Sequence, residues 1–403
     1  AFYATPPRSA ADAEGGPDAA PTQADERDHQ AHASLVVSPD CLSNSEWSIR
    51  FRHGAIASVL WHDEPISADN DMPFGALFAL GDDAVDIEEC FTGERWEMAY
   101  DDEGIEVLEA GPVRATVRLR GSLLGCPVVQ RISLYEGLPR LDLTTTIDWR
   151  GEHNRQVRMN LPILMPEGRI TYETPYGHCT FNEDEIEGSY RGTGGRFVQK
   201  WIDVSCLAMG VTIATRHCAH AFEDTAVFPI LLNTSYSCGD RFLWYENEGR
   251  HTFDVSLVGH AYGWREACSF RHGWEFNSPL IVADTCFWHP RKGGAWSPTK
   301  VGEKGDLPHM ASLLEVDSPN VIVTAVKAPR TGKGIIVRLF EVVGEALQVH
   351  LKVPSDVASA EEVNLLEEHI ADIPASGNVV TLAVSSYGIH TIRIVPAQAR
   401  SSG

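Results

Sequence analysis

The chain has 403 residues, 43% of them hydrophobic, and a formal net charge of −23. That length holds one large domain plus a smaller one, or two to three ordinary domains. The charge excludes a nucleic-acid or anionic-membrane partner, because phosphate groups would be repelled, and no apolar run approaches the ~20 residues of a membrane-spanning helix.

Residues 1–34 are rich in Ala, Pro, Asp, Glu and Gln. Such a stretch buries too little to offset its ordering entropy and reads as a linker or frayed arm. It has neither the basic nor the apolar region of a secretory signal. A chain opening on Ala1 rather than Met is expected to continue into a longer parent upstream.

From Ser34 the pattern turns to period two. Val113, Ala115, Val117 and Leu119 alternate with Arg114, Thr116 and Arg118. Leu141, Leu143, Thr145, Ile147 and Trp149 form another apolar face, and Val157, Met159, Leu161 and Ile163 a third. Each is a strand with one buried side. The short turns between them imply antiparallel sheets rather than βαβ units.

Residues 170–300 continue as strands with longer loops, and the Pro- and Gly-rich segment 290–308 reads as a boundary. Five short apolar runs follow, starting at Val321, Ile335, Leu347, Val379 and Ile389, which suggests a terminal β-sandwich. Residues 358–369 are the one stretch that predicts a helical turn. The predicted fold is therefore all-β: a large antiparallel sheet domain over 35–300 and a smaller β-sandwich over 301–403.

Nine cysteines at irregular spacing, with no CxxC pair, match neither a disulfide framework nor a zinc site. They predict reduced thiols in a cytoplasmic protein. His217-Cys218-Ala219-His220 is the nearest approach to a metal motif, but its two imidazoles are poorly spaced for one ion and lack a third ligand. No metal is expected in this chain.

The specific signals are phrases in a fixed order. They include Gly111-Pro112-Val113-Arg114-Ala115, Ile147-Asp148-Trp149, Tyr172-Glu173-Thr174-Pro175-Tyr176-Gly177, Lys200-Trp201-Ile202-Asp203-Val204-Ser205, Gly263-Trp264-Arg265-Glu266-Ala267 and Ile389-His390-Thr391-Ile392-Arg393. This succession resembles the C-terminal half of the family 38 glycoside hydrolases, the α-mannosidases, over roughly 36–396. Tyr176 stands where that family has Phe, Lys200 where it has Arg, and Gly263 where it has Asp.

The resemblance implies a galactose-mutarotase-like supersandwich followed by a β-sandwich. It implies a region that packs on a catalytic α/β domain and lends residues to a pocket for mannosides. The Asp nucleophile, the acid/base carboxylate and a zinc held by His and Asp would belong to that upstream domain, in the parent chain or a separate subunit. No cofactor is then expected here, and self-association stays open.

Carbohydrate contacts need aromatic faces, which meet pyranose C–H bonds, and hydrogen-bonding groups for hydroxyls. Tyr172, Tyr176, Trp201 and Trp264 supply the rings, and His178, His260 and Arg265 the polar groups. Tyr176 and Trp264, with His178 and His260, are expected in loops. A retaining glycosidase needs two carboxylates ~5 Å apart. Glu173, Asp203, Glu266 and Asp284 are present, but Asp203 and Glu266 read first as loop caps or as partners of Lys200 and Arg265.

Two rival readings remain. One is a stand-alone carbohydrate-binding or assembly subunit. The other is an autonomous epimerase or polysaccharide lyase, working through His178, Tyr176 and Arg265.

Overall fold

The computed structural model describes residues 35–67, 72–82, 91–101, 104–185, 195–217, 219–234, 247–282 and 310–397. The linker read over 1–34 and the boundary at 290–308 lie outside them, as does Asp284. The chain divides into two compact units between Asn277 and Ser278. Both are built from antiparallel strands, so the fold is all-β: a supersandwich followed by a β-sandwich. No helix among the described residues is long and apolar enough to cross a membrane.

The first unit contains three sheets. The largest has ten strands. Its order from one edge runs Gly177–Thr180, Arg169–Thr174, Trp201–Ser205, Met209–Thr215, Gly249–Ala261, Leu138–Trp149, Cys126–Tyr135 and Arg114–Leu123. A seven-stranded sheet is centred on Ala226–Asn233, Arg155–Met159 and Leu77–Asp82. A five-stranded sheet spans 36–65. One core joins all three, with Trp47, Val117, Ile147, Val157, Ile213 and Leu257 among its members.

The period-two faces read from the sequence are the buried ones. Ala115, Val117 and Leu119 are buried, as are Leu141, Leu143, Ile147 and Trp149. Val113 departs from its series at 71% exposed. It precedes the strand, in a turn closed by Gly111 N donating to Arg114 O at 3.1 Å, so its side chain never enters the pleat. The series from Val157 to Ile163 is broken at Asn160. Its side-chain amide is buried and donates to Met72 O and Pro73 O, which splits the run into two strands.

The second unit is a sandwich of a four-stranded and a five-stranded sheet. Its own core includes Val337, Leu339, Val349, Leu351, Val380 and Ile392. All five strands read from the sequence are present. The helical turn read at 358–369 is instead a hairpin of Val357–Val363 with His369–Asp372. Ala360 and Val363 are buried at a three-residue spacing that mimics a helix, but the spacing comes from register shifts in the strand. Asn364 Oδ1 accepts from Leu366 N and Glu368 N and closes the turn.

Two helices interrupt the first unit where strands and loops were expected: α1 (Trp264–Ala267) and α2 (Phe270–Asn277). α2 packs on strands Trp201–Ser205 and Met209–Thr215. Ile202, Val204, Val211 and Ile213 point into the core, so strand alternation puts Trp201, Asp203 and Thr212 on the opposite face, under the helices. Gly273 permits this approach. A Cβ there would lie 2.6 Å from Trp201 Cβ and 2.9 Å from Lys200 O. Gly273→Ala, despite Ala's better helix propensity, is expected to lower stability by about 1–3 kcal/mol through overpacking, read from chemical denaturation.

Candidate functional site

The helices cover the outer face of the ten-stranded sheet near its edge hairpin, and four of the seven candidate residues meet there. Trp264, first in α1, is buried. Its ring lies 4.9 Å from that of Trp201, 5.0 Å from that of His178 and 6.1 Å from that of Phe270. The Arg265 guanidinium sits 4.4 Å over the Trp264 ring. Arg265 Nη2 lies 2.9 Å from His178 Nε2.

An arginine can only donate, so His178 Nε2 accepts and the imidazole carries its proton on Nδ1. Burial first, and then the Arg265 charge, hold His178 below the usual histidine range. Arg265 itself is exposed. The result is a cation fixed at the surface between an indole and a neutral imidazole.

Tyr176 lies at the tip of the neighbouring hairpin, 51% exposed. Its φ of 55° is left-handed, as are those of Tyr262 (63°) and Cys268 (50°), which flank α1. Three non-glycine residues in that region around one cluster are the kind of local strain that gathers at binding sites.

Burial closes several of the candidate rings. Tyr172 is a core residue whose ring lies 5.4 Å from that of Phe222 and whose hydroxyl donates to Glu185 Oε1 at 2.8 Å. Trp201 is fully buried. Neither ring is available to a ligand, because the pleat and α2 cover them. Trp264, expected in a loop, is likewise enclosed at 4% exposed. His178 and His260 belong to strands rather than loops.

His260 joins a buried polar network instead. Its Nε2 donates to Asp203 Oδ1 at 2.8 Å. Thr212 Oγ1 lies 2.6 Å from Asp203 Oδ1 and 2.6 Å from Ser269 Oγ. These bonds tie three strands of the sheet to the residue just before α2. They engage Oδ1 of Asp203, which the sequence left as a partner for Lys200.

Lys200 faces Glu173 instead, Nζ to Oε1 at 3.9 Å, with the ammonium 3.9 Å over the Trp274 ring. Glu173 is buried and its Oε2 has no hydrogen-bond partner. Burial pushes its carboxyl up to about 7, against the opposing pull of Lys200. The spacing in Tyr172-Glu173-Thr174 marks a strand, but nothing local signals that Glu173 would meet a lysine 27 positions later.

Among the described residues, no three His, Cys, Asp or Glu side chains gather to hold a metal. His217 packs edge-on against Phe253 at 5.1 Å, and His220 is buried. Cys41, Cys126, Cys179, Cys206 and Cys268 are free thiols. A cleft of about 760 Å³ on the seven-stranded sheet is lined by Arg95, Arg158, Glu97, Glu223 and Asp224, with neither His nor Tyr.

Residues 83–219 match the model of the glycosyl hydrolases family 38 C-terminal domain. Residues 320–392 match that of the glycosyl hydrolases family 38 C-terminal beta sandwich domain. No curated protein matches the chain by sequence. Among solved structures, an alpha-mannosidase from Enterococcus faecalis V583 superposes with a TM-score of 0.69 at 15% identity, covering 89% of this chain and 43% of that one. A glycosyl hydrolase family 38 protein from Enterococcus faecalis gives 0.68 at 15% identity, covering 89% and 44%. The chain thus spans less than half the length of either.

Proposed function

Since the chain belongs to glycoside hydrolase family 38 and carries its C-terminal domains, we propose that it supports and completes the sugar pocket of an α-mannosidase acting on terminal α-mannosides. The nucleophile, the acid/base carboxylate and the zinc are assigned to a catalytic α/β domain outside this chain, in the same parent or a separate subunit. The two carboxylates buried under the helices suit that division of labour. Asp203 is engaged by Thr212 and His260, and Glu173 faces Lys200, so neither is presented to a glycan as retaining hydrolysis requires. The free thiols favour a cytoplasmic location.

The observation that carries the sugar-contact reading is the fixed Arg265 fork. A guanidinium already held by Trp264 and His178 loses little freedom on binding hydroxyls. Tyr176 adds an exposed ring two positions before His178. The same pairing counts against an epimerase or lyase, since the His178 Nε2 lone pair is taken by Arg265 and is not free to remove a proton.

The test is calorimetric titration of the chain, alone and with the catalytic domain, with methyl α-mannoside. Arg265→Ala is expected to weaken binding about tenfold or more, with little change in melting temperature because Arg265 is exposed. The chain alone should not cleave aryl α-mannosides, with or without zinc. Turnover by the isolated chain, or undiminished affinity in Arg265→Ala, refutes the reading.

A further inference from the structure

At the C-terminal end of α2 lies a second cleft, of about 490 Å³, whose lining includes Phe197, Gln199, Lys200, Arg216, His217 and Asn277. In a chain of net charge −23 it has two cations in its lining and no carboxylate. Arg216 is braced: Nη1 donates to Asp254 Oδ2 at 3.0 Å, Nη2 to Phe276 O at 3.1 Å, and the guanidinium lies 4.7 Å over the Phe276 ring. Lys200 rests on Trp274, with Glu173 behind it.

His217 Nε2 is buried with no hydrogen-bond partner. A buried imidazole nitrogen left unpaired costs free energy that a ligand hydroxyl would restore. Phe197 is 74% exposed, an aromatic face held out on a short edge strand. Cations, an unpaired ring nitrogen, amides and an open aromatic face together make a polar recognition surface, unlike a packing defect, which would be apolar.

We propose that this cleft binds a saccharide bearing an anionic group, with the anion at Lys200 and Arg216, a hydroxyl at His217 Nε2 and the sugar's apolar face on Phe197. The anion is a carboxylate, as in a uronate, or a phosphate ester; both accept paired hydrogen bonds from a guanidinium and attract an ammonium. Two features set the character of the cleft near neutral pH. Burial holds the Glu173 carboxyl up to about 7, so its charge only partly offsets Lys200, and holds His217 down to about 4, so it stays a neutral hydrogen-bonding group. The cleft uses neither Arg265 nor His178, so it stands apart from the mannoside reading.

The test is NMR titration of the full chain with glucuronate, glucose 6-phosphate, inorganic phosphate and methyl α-mannoside. Glucuronate or glucose 6-phosphate should bind at least fivefold tighter than the other two, and whichever does so identifies the anion. Arg216→Gln and Phe197→Ser should each weaken that binding about fivefold or more, while Arg265→Ala leaves it unchanged. Phe197 is exposed, so Phe197→Ser reads binding without risk to folding. Equal affinity for inorganic phosphate and the sugar anions, or binding untouched by Phe197→Ser, overturns the proposal. So does the absence of any preference for the charged sugars.

Discussion

Trp201→Ala is expected to lower unfolding stability by about 3–5 kcal/mol, the range for removing a fully buried Trp or Phe side chain. Trp201 is fully buried and makes two separate contacts. Its ring lies 4.9 Å from that of Trp264 under α1, and its Cβ meets Gly273 of α2. Deleting the indole opens a cavity that neither helix fills by a small shift, because the network of Ser269, Thr212, Asp203 and His260 pins the junction between them. The urea midpoint should fall with the slope unchanged. A loss under 1 kcal/mol would mean that the helices are not seated on this face. Trp264, also enclosed, should behave in the same way, which replaces the expectation that its ring faces a sugar.

The fold was legible where burial has one side. Strands such as Leu138–Trp149 bury every second residue, so their alternation appears directly in the sequence. α1 and α2 were not legible, for physical reasons. α1 is four residues long, and its N-cap Gly263 makes no side-chain capping bond. α2 buries only Phe270 and Gly273, too few to set a helical period.

The candidate site divides along the same line. The residue types were legible, since Arg265, His178 and Trp264 lie in recognisable phrases. Their meeting was not, because it joins an edge hairpin to a helix 87 positions away in sequence. Sequence reading also overvalued Tyr172 and Trp201. An aromatic on a buried strand and one beside a sugar look alike until the covering helix is known.

Glu173→Gln is expected to stabilise the protein increasingly as pH rises. The folded carboxyl titrates at about 7 against an ordinary value of 4.5. Between those values the unfolded chain has given up the proton and the folded chain still holds it. Raising pH therefore favours unfolding. The stability this group contributes is full below 4.5, falls as pH climbs through 7 and levels off above it. A gap of that size corresponds to about 3 kcal/mol.

Glutamine has no charge to desolvate, so the variant lacks this slope. Its buried amide adds a roughly constant penalty, because Glu173 Oε2 has no partner in the wild type. The test is therefore the difference between the two stability curves, which should widen by about 3 kcal/mol from pH 4.5 to pH 8. Subtraction also removes His217 and His272, which burial holds at about 4 and which act in the opposite sense, losing stability as pH falls from 6.5. Parallel curves across that window would mean that Glu173 ionises normally. Lys200 would then be fully neutralised, and the second cleft would lose much of its positive charge.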